Sequence, residues 1–300
     1  MKTKRIKGTT VRLSTGDQMF YGLVDIVVIA VLMVVAIPLW STITLSFRPN
    51  AFIGTNLEGM FLPPWKWSTA AYRALLGNNG FLNAFLNSLK IFVMGVASAL
   101  FLTIPLAYVL SVKTLPGRKF LTILILVPYL FNVGLIPTYL VVTSLGLTNN
   151  LAAIFLPGAI STYNCLIMRG FFEGIPDELK ESARIDGAAE WYVLIRIILP
   201  LSKPIIMTIG LYYGVSFWND FFNAMLYLNA NALQPLPILL RNILMASGMN
   251  EFVEVNAFGE APIQAIKAAS VFMAAIPMII AYPFIQKYFT KGTLLGGVKG

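Results

Sequence analysis

The stretch Glu178-Leu-Lys-Glu-Ser-Ala-Arg-Ile-Asp-Gly187, followed nine residues later by Ile197-Ile-Leu-Pro200, lies between two long apolar segments of this chain. Half of its first ten residues carry a charge, whereas charged residues make up only 12% of the whole protein. Soluble domains carry about 25%. A polar, helix-forming stretch in such apolar surroundings is a candidate for contact with another protein.

The composition indicates a protein of the lipid bilayer. Of the 300 residues, 57% are hydrophobic, which is more apolar surface than a water-soluble globule can bury. The net charge of +9 comes from basic residues in short clusters between apolar runs. This placement is typical of segments that flank membrane helices and argues against nucleic-acid binding.

Several enzyme classes are disfavoured by what the sequence lacks. It has no histidine, the commonest general base and zinc ligand, and a single cysteine, Cys165, which allows no internal disulfide. We therefore expect no catalytic residues and no metal site.

Apolar runs of sufficient length predict an all-α, polytopic membrane protein with six transmembrane helices, treated as one domain over residues 1–300. Of the 22 basic residues, 16 fall in segments that are cytoplasmic if both termini are inside, which predicts an N-in, C-in orientation. The expected spans are 20–47, 83–112, 119–143, 151–170, 204–229 and 268–288.

The insert 171–203, between the fourth and fifth spans, is predicted to form two helices joined at Gly187. Pro176 is well placed to begin the first helix. Along it, Asp177 with Lys180 and Glu181 with Arg184 have the spacing of surface ion pairs.

The second helix of the insert has an apolar stripe at positions i, i+3, i+4 and i+7, which should lie against the membrane or the bundle. The stripe consists of Trp191, Leu194, Ile195 and Ile198. The residues alone leave open whether the insert is a solvated loop or a docking element.

The insert resembles the EAA motif found in the membrane subunits of bacterial ATP-binding cassette importers, where a short helix docks in a groove of the ATPase subunit. The spacing matches in full, with Ser182 where alanine is usual. The resemblance implies that the residues coupling this chain to an ATPase are Glu178, Glu181, Ser182, Ala183, Asp186, Gly187, Ile197, Leu199 and Pro200.

Nearly the whole chain is similar to the smaller permease of maltose-type sugar importers. The tail 289–300 resembles that subunit's tail, which reaches toward the ATPases and would do so here through Gly296, Gly297 and Lys299. The implied partners are a second permease, two ATPase subunits that hold ATP and magnesium, and an extracytoplasmic sugar-binding protein. The implied location is the bacterial inner membrane.

Aromatic and amide side chains in the fifth span are candidates for a sugar pathway, because aromatic faces stack on sugar rings and amides bond hydroxyls. Asp220 is ionisable and lies at the edge of the span, which favours a functional role; the alternative is an ordinary interfacial position. The tentative pathway residues are Tyr213, Trp218, Asn219, Asp220 and Asn132. Nearby, Gly210 and Gly214 form a GxxxG pattern that permits close helix contact, expected within this chain.

The stretch from Ser202 to Pro237 is also similar to sugar permeases linked to polysaccharide-derived oligosaccharides, some of which carry acidic chains. Two alternatives remain: an importer of the same type for amino acids or another small solute, and an ion-coupled secondary transporter. The second would need intramembrane charges, and only Asp220 approaches that requirement.

Overall fold

The computed structural model describes residues 3–6, 9–12, 15–49, 58–59, 62–131, 133–245 and 261–296. This part of the chain is helical, as predicted, apart from one short hairpin. Two compact units are present, one within Met1–Leu75 and Phe258–Phe272, the other within Leu76–Ala257 and Met273–Gly300.

The first unit begins with two antiparallel strands, β1 (Thr3–Ile6) and β2 (Thr9–Arg12), which the sequence pattern did not predict. Helix α1 (Thr15–Ser46) follows, then a 3₁₀ turn at Pro64–Lys66 and helix α2 (Ala70–Gly77).

Aromatic contacts fix the segment that follows α1. Trp67 stacks on Phe47 with ring centroids 4.8 Å apart, and its indole N–H donates to the Leu62 carbonyl at 2.9 Å. The hydroxyls of Ser46 and Tyr72 lie 2.6 Å apart. Trp67, expected to anchor at the level of the lipid headgroups, thus also has a packing role inside this unit.

The second unit holds most of the remaining helices, and the last helix, α13 (Ile263–Gly296), runs from the first unit into the second. The others are α3 (Asn79–Ser111), α4 (Arg118–Leu130), α5 (Leu135–Ser144), α6 (Ala152–Phe155), α7 (Thr162–Glu173), α8 (Asp177–Ile185), α9 (Glu190–Leu201), α10 (Lys203–Trp218), α11 (Phe222–Tyr227) and α12 (Leu236–Met245), with a 3₁₀ turn at Asn231–Leu233.

Helix α3 is the centre of this unit and packs against α6, α7, α10 and α12. At the crossing of α3 and α10, each helix offers a glycine to a phenylalanine of the other. A Cβ added to Gly95 would lie 2.6 Å from the Phe217 ring, and one added to Gly214 would lie 2.6 Å from the Phe92 ring. The GxxxG pattern therefore mediates contact within this chain, which confirms the prediction.

Three described helices are long and apolar enough to cross a membrane, and two sharply bent helix pairs raise the number to five if each pair is one span. The bent pairs are α4 with α5, and α9 with α10, the latter bent by 83°. The expected fourth span, 151–170, is not one continuous helix: α6 and α7 are separated by a stretch that contains Pro157 and Gly158. Proline cannot donate the helical hydrogen bond, which favours this interruption.

Candidate functional site

The insert forms the two helices that the sequence predicts, α8 and α9, which we call the bracket (residues 177–201). Helix α8 begins directly after Pro176, and its first turn carries Asp177 and Glu178. Acidic side chains at this end interact favourably with the helix dipole. The predicted start of the helix is confirmed.

Gly187 ends α8 in the left-handed conformation, with φ of +82°. The N–H of Ala188 donates to the Ala183 carbonyl at 2.9 Å, and the N–H of Gly187 donates to the Arg184 carbonyl at 3.0 Å. These two bonds form a Schellman motif, in which glycine is preferred because a Cβ disfavours positive φ. The predicted turn at Gly187 is confirmed, and the motif gives its reason.

The inner face of α8 is fixed by a buried lysine. Lys180 is only 6% exposed, and its ammonium group donates to the Phe172 carbonyl at 3.2 Å and to Asp177 at 3.0 Å. Asp177 also accepts from Lys113 at 3.2 Å, which connects the bracket to the segment after α3. The predicted Asp177–Lys180 pair is confirmed, but the burial of Lys180 was not foreseen.

The two arms of the bracket are joined by an ion pair that differs from the predicted one. Arg184 donates to Glu190 at 2.7 Å instead of pairing with Glu181, because the turn at Gly187 brings α9 back beside α8. Glu190 also accepts a hydrogen bond from the Tyr108 hydroxyl at 2.5 Å. One carboxylate therefore ties together α8, α9 and the central helix α3.

Helix α9 does not present the predicted apolar stripe as one face. Val193–Ile198 is π-helical, so its hydrogen bonds link residues five apart and the buried positions shift. Val193, Leu194 and Ile198 are buried, whereas Trp191 is 65% exposed and Ile195 is also exposed. The stripe thus divides between the bundle and the outer surface of the bracket.

The bracket encloses an open groove of about 810 Å³ that small residues line in large part. Its walls include Ser182, Ala183, Gly187, Ala188 and Ala189. At the end of α8, the side chain of Ile185 is 86% exposed. Small walls beside an exposed isoleucine give a surface that another protein can approach closely.

The residues of the motif divide between the outer and inner sides of the bracket. Ala183, Ile197 and Leu199 are partly buried and pack against the core of the second unit. The exposed ones are Glu178, Glu181, Ser182, Asp186, Gly187 and Pro200.

The tentative pathway residues are spread over different environments. Tyr213 is 3% exposed; its hydroxyl lies 2.8 Å from that of Thr103 and accepts from the Ser161 N–H at 2.9 Å. Trp218 is 4% exposed, and its indole N–H donates to the Ala274 carbonyl at 3.1 Å. Both polar groups are thus engaged within this chain.

Asn219 and Asp220 are more accessible than the two aromatic residues. The Asp220 carboxylate accepts from the Asn223 N–H at 3.0 Å and from its side-chain amide at 2.8 Å, at the start of α11. The Asn219 amide donates to the Val215 carbonyl at 3.0 Å. Asn132 lies outside the described residues.

The C-terminal tail is described only to Gly296, where α13 ends. Gly297 and Lys299 lie outside the described residues. The proposed contact of the tail with an ATPase therefore stays a prediction.

The fold and the bracket together define a helical integral membrane protein with a polar helix–turn–helix arm at one end of its bundle. Residues 67–294 match the family described as "Binding-protein-dependent transport system inner membrane component". The chain belongs to this family, so it is a transport permease and not an enzyme, and the resemblance inferred from the motif is confirmed.

Two relatives come from Bacillus subtilis (strain 168). The polygalacturonan/rhamnogalacturonan transport system permease protein YtcP is 44% identical over 241 residues, which cover 80% of this chain and 84% of the relative. Protein LplC is 43% identical over 246 residues, which cover 81% of this chain and 83% of the relative.

A solved structure is also similar over nearly the full chain. Its title reads "Crystal structure of a bacterial ABC transporter involved in the import of the acidic polysaccharide alginate". The TM-score is 0.83 at 30% identity, and the match covers 93% of this chain and 100% of the other.

Proposed function

We propose that this chain is one of two permeases in an ATP-driven importer that carries an acidic oligosaccharide, derived from a polysaccharide, into a bacterial cell. The family membership supports a binding-protein-dependent importer. The substrate class rests on the relative that transports polygalacturonan or rhamnogalacturonan and on the solved alginate importer. This proposal replaces the amino-acid importer and the ion-coupled carrier as alternatives.

The assembly that we propose contains this chain, a second homologous permease, two ATPase subunits and an extracytoplasmic sugar-binding protein. ATP and magnesium would be held by the ATPase subunits. This chain would cross the inner membrane six times with both termini inside, so that two of the crossings are made by bent or interrupted helices.

The observation that carries the proposal is the bracket, an exposed arm with small groove walls that is fixed firmly to the bundle on its inner side. Its outward residues, Glu178, Glu181, Ser182, Asp186 and Gly187, would contact the ATPase. On its inner side, Lys180 bonds α7 and Glu190 bonds Tyr108 of α3. A movement of the ATPase groove would therefore reach the central helix through short, charge-assisted contacts.

Among the pathway candidates, the accessible side chains of Asn219 and Asp220 are suited to meet sugar hydroxyls. Tyr213 and Trp218 would instead hold the neighbouring helices in place, since their polar groups already have partners in this chain. The negative charge of Asp220 would repel a uronic acid, so we expect it to stand beside hydroxyls and not beside a carboxylate of the sugar.

The proposal is tested by ATP hydrolysis of the reconstituted importer with its binding protein. Acidic oligosaccharides, such as short galacturonate chains, are compared with neutral maltooligosaccharides of the same length. We expect stimulation by the acidic chains at lower concentration than by the neutral ones. Equal stimulation by neutral sugars would overturn the substrate class, and purification of a transport-active chain without any ATPase would overturn the assembly.

A further inference from the structure

A second cavity, of about 760 Å³, lies away from the groove of the bracket and is strongly basic. It is formed where α3 leads into α4 and where α7 passes beside them. Four cationic side chains line it, together with apolar groups that include Leu115 and Ile123. The four are Lys113, Arg118, Lys119 and Arg169.

The charge of this cavity is only partly neutralised. Arg118 and Arg169 share a single carboxylate, that of Glu173, with Arg169 at 2.9 Å. Lys113 has Asp177 as its partner. Lys119 is exposed, and within the described part of the chain it has no ion pair. Four cations thus face two carboxylates, which leaves the cavity with a net positive charge.

The guanidinium groups are held in place and keep donors for a further acceptor. Nε of Arg118 donates to the Leu110 carbonyl at 2.8 Å, and a terminal nitrogen of Arg169 lies 3.5 Å from the Thr122 hydroxyl. A guanidinium has five N–H donors, more than these contacts engage. Planar, fixed guanidinium groups are well suited to phosphate oxygens.

An apolar surface continues from the cavity along α4. None of the residues of this helix is buried, and Phe120, Ile123, Leu124 and Val127 are exposed. In a permease of the inner membrane, an apolar helix face that begins at a basic cavity has the arrangement of a lipid site, with charge at the headgroup level and hydrocarbon contact beyond it.

We infer that this cavity binds the headgroup of an anionic phospholipid, whose acyl chains lie along the exposed face of α4. The phosphodiester would accept hydrogen bonds from Arg118 and Arg169, and Lys119 would contribute charge at the rim. The contact of Lys113 with Asp177 connects this site to the bracket. The lipid would therefore lie one ion pair away from the arm that we propose meets the ATPase.

The test uses the assembled importer in nanodiscs that contain equal amounts of phosphatidylglycerol and phosphatidylcholine. The complex is extracted into detergent, and the lipids that remain bound are counted by native mass spectrometry. We expect phosphatidylglycerol to be retained in preference. A lysine near an anionic headgroup contributes roughly a five-fold preference, so Lys119→Gln should reduce the ratio by about that factor and Lys119→Glu by more.

Lys203→Gln is the matched control, because Lys203 is exposed at the start of α10 and does not line the cavity. It should retain the ratio of the unmodified protein. The inference is overturned if Lys119→Gln leaves the ratio unchanged, or if Lys203→Gln lowers it equally, since the effect is then one of general surface charge. Displacement of the lipid by millimolar inorganic phosphate, or a preference seen only without the other subunits, would also overturn it.

Discussion

The crossing of α3 and α10 and the bracket of α8 and α9 are two helix pairs that end in opposite conditions. At the crossing, Gly95 and Gly214 each receive a phenylalanine from the other helix, and the contact is closed within this chain. At the bracket, apolar side chains such as Ile185 and Trp191 remain exposed beside an open groove.

The difference shows where this protein depends on itself and where it depends on others. The crossing needs close packing, so its tolerance to substitution is decided by volume. The bracket needs a defined backbone turn and a charged network on its inner side, while its outer surface is left for a partner. Substitutions in the two regions should therefore affect different properties.

The largest effect on stability is expected from Gly95→Ala. The new Cβ would lie 2.6 Å from the Phe217 ring and 3.1 Å from the Phe155 Cβ, and both phenylalanines are buried. Overpacking of this kind costs about 1–3 kcal/mol. Thermal unfolding in detergent should show the loss. Gly210→Ala is the matched control, because its nearest neighbour, a Leu100 methyl, would be 3.4 Å away; an equal loss there would contradict the packing argument.

Gly187→Leu should separate stability from coupling. Nothing lies within 4 Å of the new Cβ, so only the backbone conformation is strained, at a cost of about 1–2 kcal/mol. We expect the protein to insert normally while ATP hydrolysis no longer drives uptake in the reconstituted importer. Gly170→Leu, on an exposed helical position with equal free space, should leave coupling intact. Normal coupled uptake in Gly187→Leu would remove the bracket from the mechanism.

Asp177→Asn tests the inner side of the bracket through its pH dependence. The ammonium groups of Lys180 and, secondarily, Lys113 lower the pKa of the Asp177 carboxyl. A carboxyl with a lowered pKa stabilises the folded state above its ordinary value, about 3.9, and this contribution is lost as the pH falls. The variant should thus have a lower Tm at pH 7, and the difference should shrink below about pH 4. A difference that is constant with pH would exclude this cause.

The smallest effect is expected from the pair of Arg184 and Glu190. Both side chains are partly exposed, and such pairs contribute about 0.2–1 kcal/mol in double-mutant cycles. The cycle combines Arg184→Gln and Glu190→Gln, with stability measured by denaturant titration. Replacement of Glu181, the partner that spacing alone suggests, should show no coupling to Arg184; coupling there would mean that the turn differs from the one described.

Local features of the site were predictable from residue type and spacing. Pro176 starts α8, Gly187 ends it, and Asp177 pairs with Lys180, because each of these follows from contacts within one or two helical turns. Other features were not predictable in this way. Arg184 bonds Glu190 because the chain reverses at Gly187, and the π-helical part of α9 redistributes the apolar stripe.

The sequence by itself determined that this is a helical membrane protein with a docking arm, because apolar length, basic flanks and motif spacing are properties of contiguous residues. Only the tertiary structure decided which glycines meet which phenylalanines, that Lys180 is buried, and that four cations gather around one cavity. These depend on residues far apart in the chain, whose proximity is fixed by how the helices bend and pack.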